Sequence, residues 1–419
     1  MQRNLMFFAI VAMGLVACSP KTPQEAPQVT QPEAEKVSDA NRIAHENIIV
    51  DTHIDVPYRL ETKPADVTSA TDDGDFDYPR AVAGGLNAPF MSIYTPAALE
   101  AKGESYAVAN KLIDIVEGIV QQAPDKFAIA LTPADVRAQF KSGLISLPMG
   151  MENGSPIDGK FENLQHFYDR GIRYITLAHG KWNHISDSSY DPDKHWKGLS
   201  EFGKKLIPEM NRLGIMVDVS HVSDDAFYQA IDISAVPVIA SHTSARFFTP
   251  GFERNADDDM IRKLAAKGGV IMINFGSSFI TKAANEYTAA RAEAGKAYQE
   301  SHPEMTEEDL YKEFGKIYEQ DHGPFPYATL DDVLDHFDHV VQLVGVDHVG
   351  IGSDFDGVGD SLPTGLKDVS SYPTLVQGLL DRAYSEADIK KILGENLLRV
   401  WKIVDDYAKG QAATMSSST

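Results

Sequence analysis

Short apolar, β-branched runs alternate with longer amphipathic stretches along most of the 419-residue chain. Compact apolar runs bounded by turn residues predict buried strands, and apolar positions three or four apart predict helices packed on one face. Strands are expected at Ile48–Asp51, Asn87–Tyr94, Leu144–Met151, Tyr174–Leu177, Met216–Ser220, Val236–Ser241, Val270–Phe275 and Val349–Ser353. Between them, helices are expected at Tyr106–Gln121, Phe161–Arg170, Glu201–Leu213, Asp224–Ala230, Asp257–Ala266 and Asp331–Leu343. Eight strands separated by helices in one long chain predict an α/β fold, a parallel (β/α)8 barrel of TIM type. An open doubly wound sheet would carry a glycine-rich phosphate loop after the first strand, and none follows here.

Two stretches depart from the alternation. Thr281 to Gln320 is charged and helix-prone, and reads equally as a lid or packing surface beside the barrel mouth or as a solvated decoration with no role in catalysis. From Ser385 to Lys409, helical spacing of Ile389, Ile392, Leu393, Leu397, Leu398, Val400 and Trp401 predicts a helix closing the barrel exterior. Residues 410–419 carry no such pattern and are expected to be disordered.

At the other end, Arg3 precedes an apolar run from Leu5 to Val16, too short to span a membrane, that ends Ala17-Cys18-Ser19. This looks like a bacterial lipoprotein signal, cut before Cys18 with lipid on its thiol. Serine after the cysteine points to the outer membrane, with the protein facing the periplasm. The following Pro-, Gln-, Glu- and Ala-rich residues have a tether's composition. The expected organisation is a signal peptide at 1–17, a tether at 18–40, one barrel domain at 41–409 with a helical insertion at 281–320, and the tail. Cys18 is the single cysteine, so neither an intrachain disulfide nor cysteine catalysis is available. With 43% hydrophobic residues the chain can bury a large core, and a formal net charge of −23 argues against nucleic acid as a partner.

The candidate chemistry lies at the strand ends. The first strand closes on Asp51-Thr52-His53-Ile54-Asp55, whose ionisable residues alternate so as to share one face. Others end at Glu152, at Leu177-Ala178-His179, at Val219-Ser220-His221, at Ala240-Ser241-His242 and at Gly352-Ser353-Asp354. One such histidine is usually structural, but a (β/α)8 barrel brings all these ends to the face where active sites lie. Ligand arithmetic suggests two ions: His53 and Asp55 on one, His221 and His242 on the other, with Glu152 bridging. Imidazole and carboxylate without thiolate suit Zn²⁺, with Mn²⁺ or Co²⁺ as alternatives. Asp354 is then the candidate proton carrier, and His179 is free to polarise a carbonyl.

These motifs resemble the membrane (renal-type) dipeptidase family: Asp51-X-His53-X-Asp55, Glu152, Ser-His at 221 and 242, and Gly352-Ser353-Asp354-Phe355-Asp356-Gly357. The likeness runs from about residue 42 to 405 and includes Gly171-Ile172-Arg173-Tyr174-Ile175-Thr176-Leu177, Asp368-Val369-Ser370-Ser371-Tyr372-Pro373 and Gly394-Glu395-Asn396-Leu397-Leu398-Arg399-Val400-Trp401. The resemblance implies a barrel of metallo-dependent hydrolase type with two zinc ions, hydrolysing dipeptides, and assembly as a homodimer. It implies that His53 and Asp55 bind one zinc, Glu152 bridges, and His221 and His242 bind the other. It also implies that His179 contacts the reacting centre, Asp354 is the acid/base, and Arg254 holds the substrate carboxylate, with Arg246 as rival. Asp51 has no metal-binding role in that pattern and is assigned to hydrogen bonding within the strand. Glu152-Asn153-Gly154 stands where the family reads Glu-Gly-Gly, and Gly276 where mammalian members have tyrosine; both departures bear on substrate preference.

Two other readings use the same residues. One is a different barrel metallohydrolase, such as an amidohydrolase on N-acyl amino acids; those commonly begin His-X-His and bridge through a modified lysine, unlike His53-X-Asp55 with Glu152. The other is a non-catalytic cell-surface binder of metal or peptide, against which Asp354 argues, because a binder needs no proton carrier.

Overall fold

The computed structural model describes residues 38–305 and 307–417. Expectations for residues 1–37, among them the signal peptide, most of the tether and lipid on Cys18, fall outside them. The barrel body opens at Ser38, whose hydroxyl caps the helix Asp39–Glu46 by accepting from Asn41 N.

Ten strands follow: β1 (Ile49–Ile54), β2 (Leu86–Tyr94), β3 (Phe127–Ile129), β4 (Ile145–Leu147), β5 (Met149–Glu152), β6 (Ile172–Thr176), β7 (Met216–Asp218), β8 (Ile239–Ala240), β9 (Val270–Ile273) and β10 (Val349–Ile351). Eight of them close a barrel in the order β1-β10-β9-β8-β7-β6-β5-β2, and β3 and β4 form a separate two-stranded sheet. Every pairing is parallel, and closure is made where Asp51 of β1 lies beside Ile351 of β10.

The expected strand Leu144–Met151 is two strands in different sheets, divided at Pro148. Proline has no N–H for a ladder, so the chain changes sheets there while the Pro148 carbonyl still accepts from Met91 N at 2.8 Å. The helix Glu201–Leu213 spans the expected residues, capped by the Ser200 hydroxyl and ended by Gly214 at φ 90°.

Alternate strand residues divide between two hydrophobic clusters, as the pleat requires. Ile49, Met91, Ile93, Ile175, Ile271 and Ile273 pack against the surrounding helices. Val50, Ala88, Phe90, Tyr174, Val270 and Met272 belong to a second cluster, which Leu397, Leu398, Val400, Trp401 and Val404 complete. The tail helix therefore closes the end of the barrel interior rather than its exterior: the Trp401 ring lies 5.3 Å from Phe90, and Phe90 5.4 Å from Tyr174. That helix, Asn396–Ser417, also runs through positions expected to be disordered. Propagation adds one hydrogen bond per residue, and Ala412-Ala413 continue an established helix at little cost. Thr281–Gln320 folds as two helices, Lys282–Ser301 and Glu307–His322. Among the described residues no helix is long and apolar enough to cross a membrane.

Candidate metal centre

The strand ends bring His53, Asp55, Glu152, His179, His221, His242 and Asp354 to one face of the barrel. Glu152, the last residue of β5, is the hub. Its Oε1 lies 3.1 Å from His221 Nε2, 3.2 Å from His242 Nε2 and 3.6 Å from His179 Nε2. Its Oε2 lies 3.5 Å from His53 Nε2, which is 3.4 Å from Asp55 Oδ2. Three overlapping triplets could each hold a cation: His53 with Glu152 and His242; Glu152 with His179 and His221; His53 with Asp55 and Asp354.

The imidazoles are oriented from behind. His53 Nδ1 lies 2.9 Å from the Tyr174 hydroxyl, which donates to the Thr52 carbonyl at 2.9 Å. With that proton spent, the hydroxyl accepts from Nδ1–H, leaving His53 Nε2 as a bare lone pair. His242 is set the same way: Ser241 Oγ, 2.7 Å from Nδ1, donates to Asp218 Oδ2 at 2.6 Å. Asp218 also accepts from Thr176 Oγ1, Ser220 N and Ser241 N. Both Nε2 atoms thus face Glu152 as acceptors. His53 Nε2 and Asp55 Oδ1 are buried without a hydrogen-bond partner, and His221 Nε2 and His242 Nε2 approach to 2.8 Å. Buried acceptors so crowded are costly unless a cation satisfies them, so this donor set fits metal.

The electrostatics divide. At His53 burial lowers the imidazole, but Tyr174, Glu152 and Asp55 outweigh it and push the group well above its usual value. It thus holds a proton that a cation at Nε2 would displace, while the other groups sit as ligands do. Burial pushes the Glu152 carboxyl up, but His53, His179, His221 and His242 outweigh it and hold the group well below the ordinary carboxylate range. Burial, helped by Arg254, holds His221 and His242 well below the usual imidazole value, and so in the neutral form that ligates.

Asp354 is pushed up to about 7, first by burial and then by the carboxylates of Asp55 and Glu152. Its Oδ2 accepts from Asn274 Nδ2 at 2.7 Å. Asp354 and His221 have φ of 65° and 66°, a left-handed conformation that turns each side chain back over the barrel mouth at some cost in strain. Gly357 is required by close approach: a Cβ there would lie 2.1 Å from Asp354 Oδ1 and 2.2 Å from Asp55 Oδ2.

Asp51 is a brace. Its Oδ1 accepts from His53 N and Ser353 N, and its Oδ2 from the Tyr372 hydroxyl at 2.6 Å. Its hydrogen bonding reaches beyond β1, tying the His53 and Asp354 segments together.

Arg254 is 3% exposed and donates to Thr243 Oγ1 at 3.0 Å and the His242 carbonyl at 2.8 Å, while its Nε has no hydrogen-bond partner. No carboxylate pairs with it among the described residues. Arg246, the rival, is occupied by both oxygens of Asp224 and by the carbonyls of Glu253 and Asn255.

A cavity of about 770 Å³ opens above these residues, lined by Asp55, Glu152, His179, His221 and Asp354 at its floor. Tyr94, whose ring lies 4.7 Å from that of His179, Tyr190 and Phe279 line it too, and the insertion helices supply a wall. Sequence reasoning gave no site role to Tyr174, Asp218, Asn274 or Tyr94. A signal existed for Asp218, a lone carboxylate inside the apolar run Met216–Val219, and for Asn274, a polar residue at the end of β9.

Residues 37–415 match the sequence profile of the membrane dipeptidases, peptidase family M19. The chain belongs to the membrane dipeptidase family. It is a metallo-dipeptidase, and its clustered His, Glu and Asp side chains are the candidates for holding metal. An uncharacterized dipeptidase of Schizosaccharomyces pombe is 32% identical over 374 residues, covering 85% of this chain and 81% of its own. The crystal structure of the probable dipeptidase PvdM from Pseudomonas aeruginosa superposes with a TM-score of 0.77 at 26% identity, covering 88% of this chain and 98% of that one. A metallo peptidase from Rhodobacter sphaeroides, liganded with a phosphinate mimic of the dipeptide L-Ala-D-Ala, gives a TM-score of 0.70 at 26% identity, covering 85% and 99%.

Proposed function

We propose that this enzyme hydrolyses dipeptides with a free C-terminal carboxylate at a pair of zinc ions, held by His53 and Asp55 on one side and His221 and His242 on the other. The observation that carries this reading is Glu152, which turns one oxygen toward His221 and His242 and the other toward His53. When bound, such a metal pair supplies a hydroxide nucleophile near neutral pH and polarises the scissile carbonyl.

The remaining steps belong to the chain. Asp354, raised to about 7, can take a proton at its free Oδ1 and return it to the leaving amine, while Asn274 fixes Oδ2. His179, held below the usual imidazole value by burial and lining the cavity beside Glu152, can donate from Nε2 to the developing oxyanion. Arg254 offers its guanidinium to the substrate carboxylate, the partner that Arg246 already has in Asp224.

The deciding assay is amino-acid release from L,L and L,D dipeptides, with and without chelator, paired with metal analysis. Chelator-sensitive release and close to two zinc ions per chain are expected; no chelator-sensitive release from any dipeptide defeats the reading. Lipid on Cys18, attachment to the outer membrane facing the periplasm, and homodimer assembly complete it. These are tested by labelled palmitate incorporation and by the mass of the purified protein in solution.

A further inference from the structure

Where they line the cavity, the insertion helices present mainly cations above a floor of carboxylates. On Lys282–Ser301 the cavity-lining residues Thr288, Arg291, Gly295, Lys296 and Gln299 recur at helical spacing, so one face of the helix looks into the cavity. On Glu307–His322 the lining includes Gly315, Lys316 and Glu319. That wall bears three cations and one carboxylate in a chain of net charge −23, whereas the floor is built of Asp55, Glu152 and Asp354. Gly315 has a structural reason to be glycine: a Cβ there would lie 2.8 Å from Arg291 Nη2, so its absence lets the guanidinium cross the second helix. Lys296 and Lys316 are exposed and have no ion-pair partner among the described residues.

The cavity is also larger than the reaction alone requires. About 770 Å³ is in the range of sites for drug-sized ligands, and the scissile amide fills only the part above Asp55, Glu152, His179, His221 and Asp354. A substrate seated there projects its side chains toward the insertion. The ionised group that a wall of unpaired lysines favours is an anion.

We propose that the insertion forms a basic subsite, with Lys296 and Lys316 as specificity-determining residues that favour dipeptides bearing an acidic side chain. The proposal rests on the dipeptidase reading above and adds to it a substrate class. The subsite acts on binding, and being solvent-facing it weakens as salt screens it.

The test compares isosteres that differ only in charge: Ala-Glu against Ala-Gln, and Glu-Ala against Gln-Ala, with L and D second residues, in wild type and in a Lys296→Gln/Lys316→Gln variant. Two exposed charge pairs predict a wild-type preference of roughly tenfold in kcat/KM for at least one Glu substrate over its Gln isostere. In the double variant that ratio falls toward one, while kcat/KM for the Gln substrates is retained. A wild-type ratio near one for both pairs, or a ratio the double variant leaves unchanged, overturns the subsite and leaves the dipeptidase reading standing. Turnover of none of these dipeptides in either configuration overturns the subsite, and the dipeptidase reading is then decided by the wider panel above.

Discussion

Tyr174→Phe separates a core aromatic from a support for a metal ligand. The ring lies in the barrel interior beside Phe90, and it passes so close to Gly150 that a Cβ there would lie 2.0 Å from its Cζ. Phenylalanine keeps all of those contacts and removes one atom, the hydroxyl that links His53 Nδ1 to the Thr52 carbonyl at 2.9 Å on each side. Leaving two buried groups unpaired costs about 1–3 kcal/mol apiece, so a loss of about 2–6 kcal/mol in the metal-free protein is expected. The second effect is the diagnostic one. With its back partner gone, the His53 ring is no longer fixed in tautomer or orientation, and metal affinity falls roughly 10- to 100-fold. Competition against a chelator of known affinity reads the second effect, and urea unfolding of the chelated protein reads the first. Tyr384→Phe is the control, because its hydroxyl donates to Asp338 at 2.7 Å among the outer helices. If Tyr174→Phe loses stability but releases metal at the wild-type chelator concentration, the support argument is wrong.

Asp354→Asn keeps metal content while turnover falls about 10²- to 10⁴-fold; metal loss in that variant would make Asp354 a ligand instead. The same substitution has a pH signature in metal-free protein. Burial raises the Asp354 pKa to about 7 from the ordinary 3.8, so between those values the folded state binds more protons and stability falls as pH rises. Replacing the carboxyl by an amide flattens that part of the urea-derived stability curve, and an unchanged slope would assign the titration to another group. Gly357→Ala forces a methyl between Asp354 and Asp55, so metal content and turnover both drop while far-ultraviolet circular dichroism stays as in wild type; full activity would contradict the close approach. Arg254→Lys retains charge but loses the planar fork, and is expected to raise KM for free-carboxylate dipeptides while sparing kcat. An equal loss on carboxyl-amidated substrates would remove Arg254 from carboxylate recognition.

Most of the barrel was legible because its strands are buried on both faces and read as continuous apolar runs. Where expectation and structure part, the cause is local. Pro148 turns one apolar run into strands of two sheets, and nothing in the hydrophobic pattern marks that division except the missing N–H. The tail's periodicity showed that it had a buried face, but not that Trp401 would reach Phe90 at the end of the barrel interior rather than its outside. β3 was not anticipated: it lies outside the barrel's alternation and pairs only with β4.

The site divides along a chemical line. Residues facing a metal or a proton must be His, Asp or Glu, so His53, Asp55, Glu152, His179, His221, His242 and Asp354 stood out at strand ends from residue type alone, and the fold brings them together. Residues behind them need only present one hydroxyl or carboxylate at one point in space. Tyr174 and Asp218 do so from other strands, and the pairing of His53 with Tyr174 spans 121 residues. No spacing rule connects such partners, because the barrel's register creates the contact. The insertion meets the same limit from outside. A helix charged on most faces reads identically whether it faces solvent or a cavity, and only the fold sets Lys296 and Lys316 above the metal ligands rather than away from them. That placement joins the insertion to the site, and its effect is to be sought in which dipeptides are bound rather than in how the amide is broken.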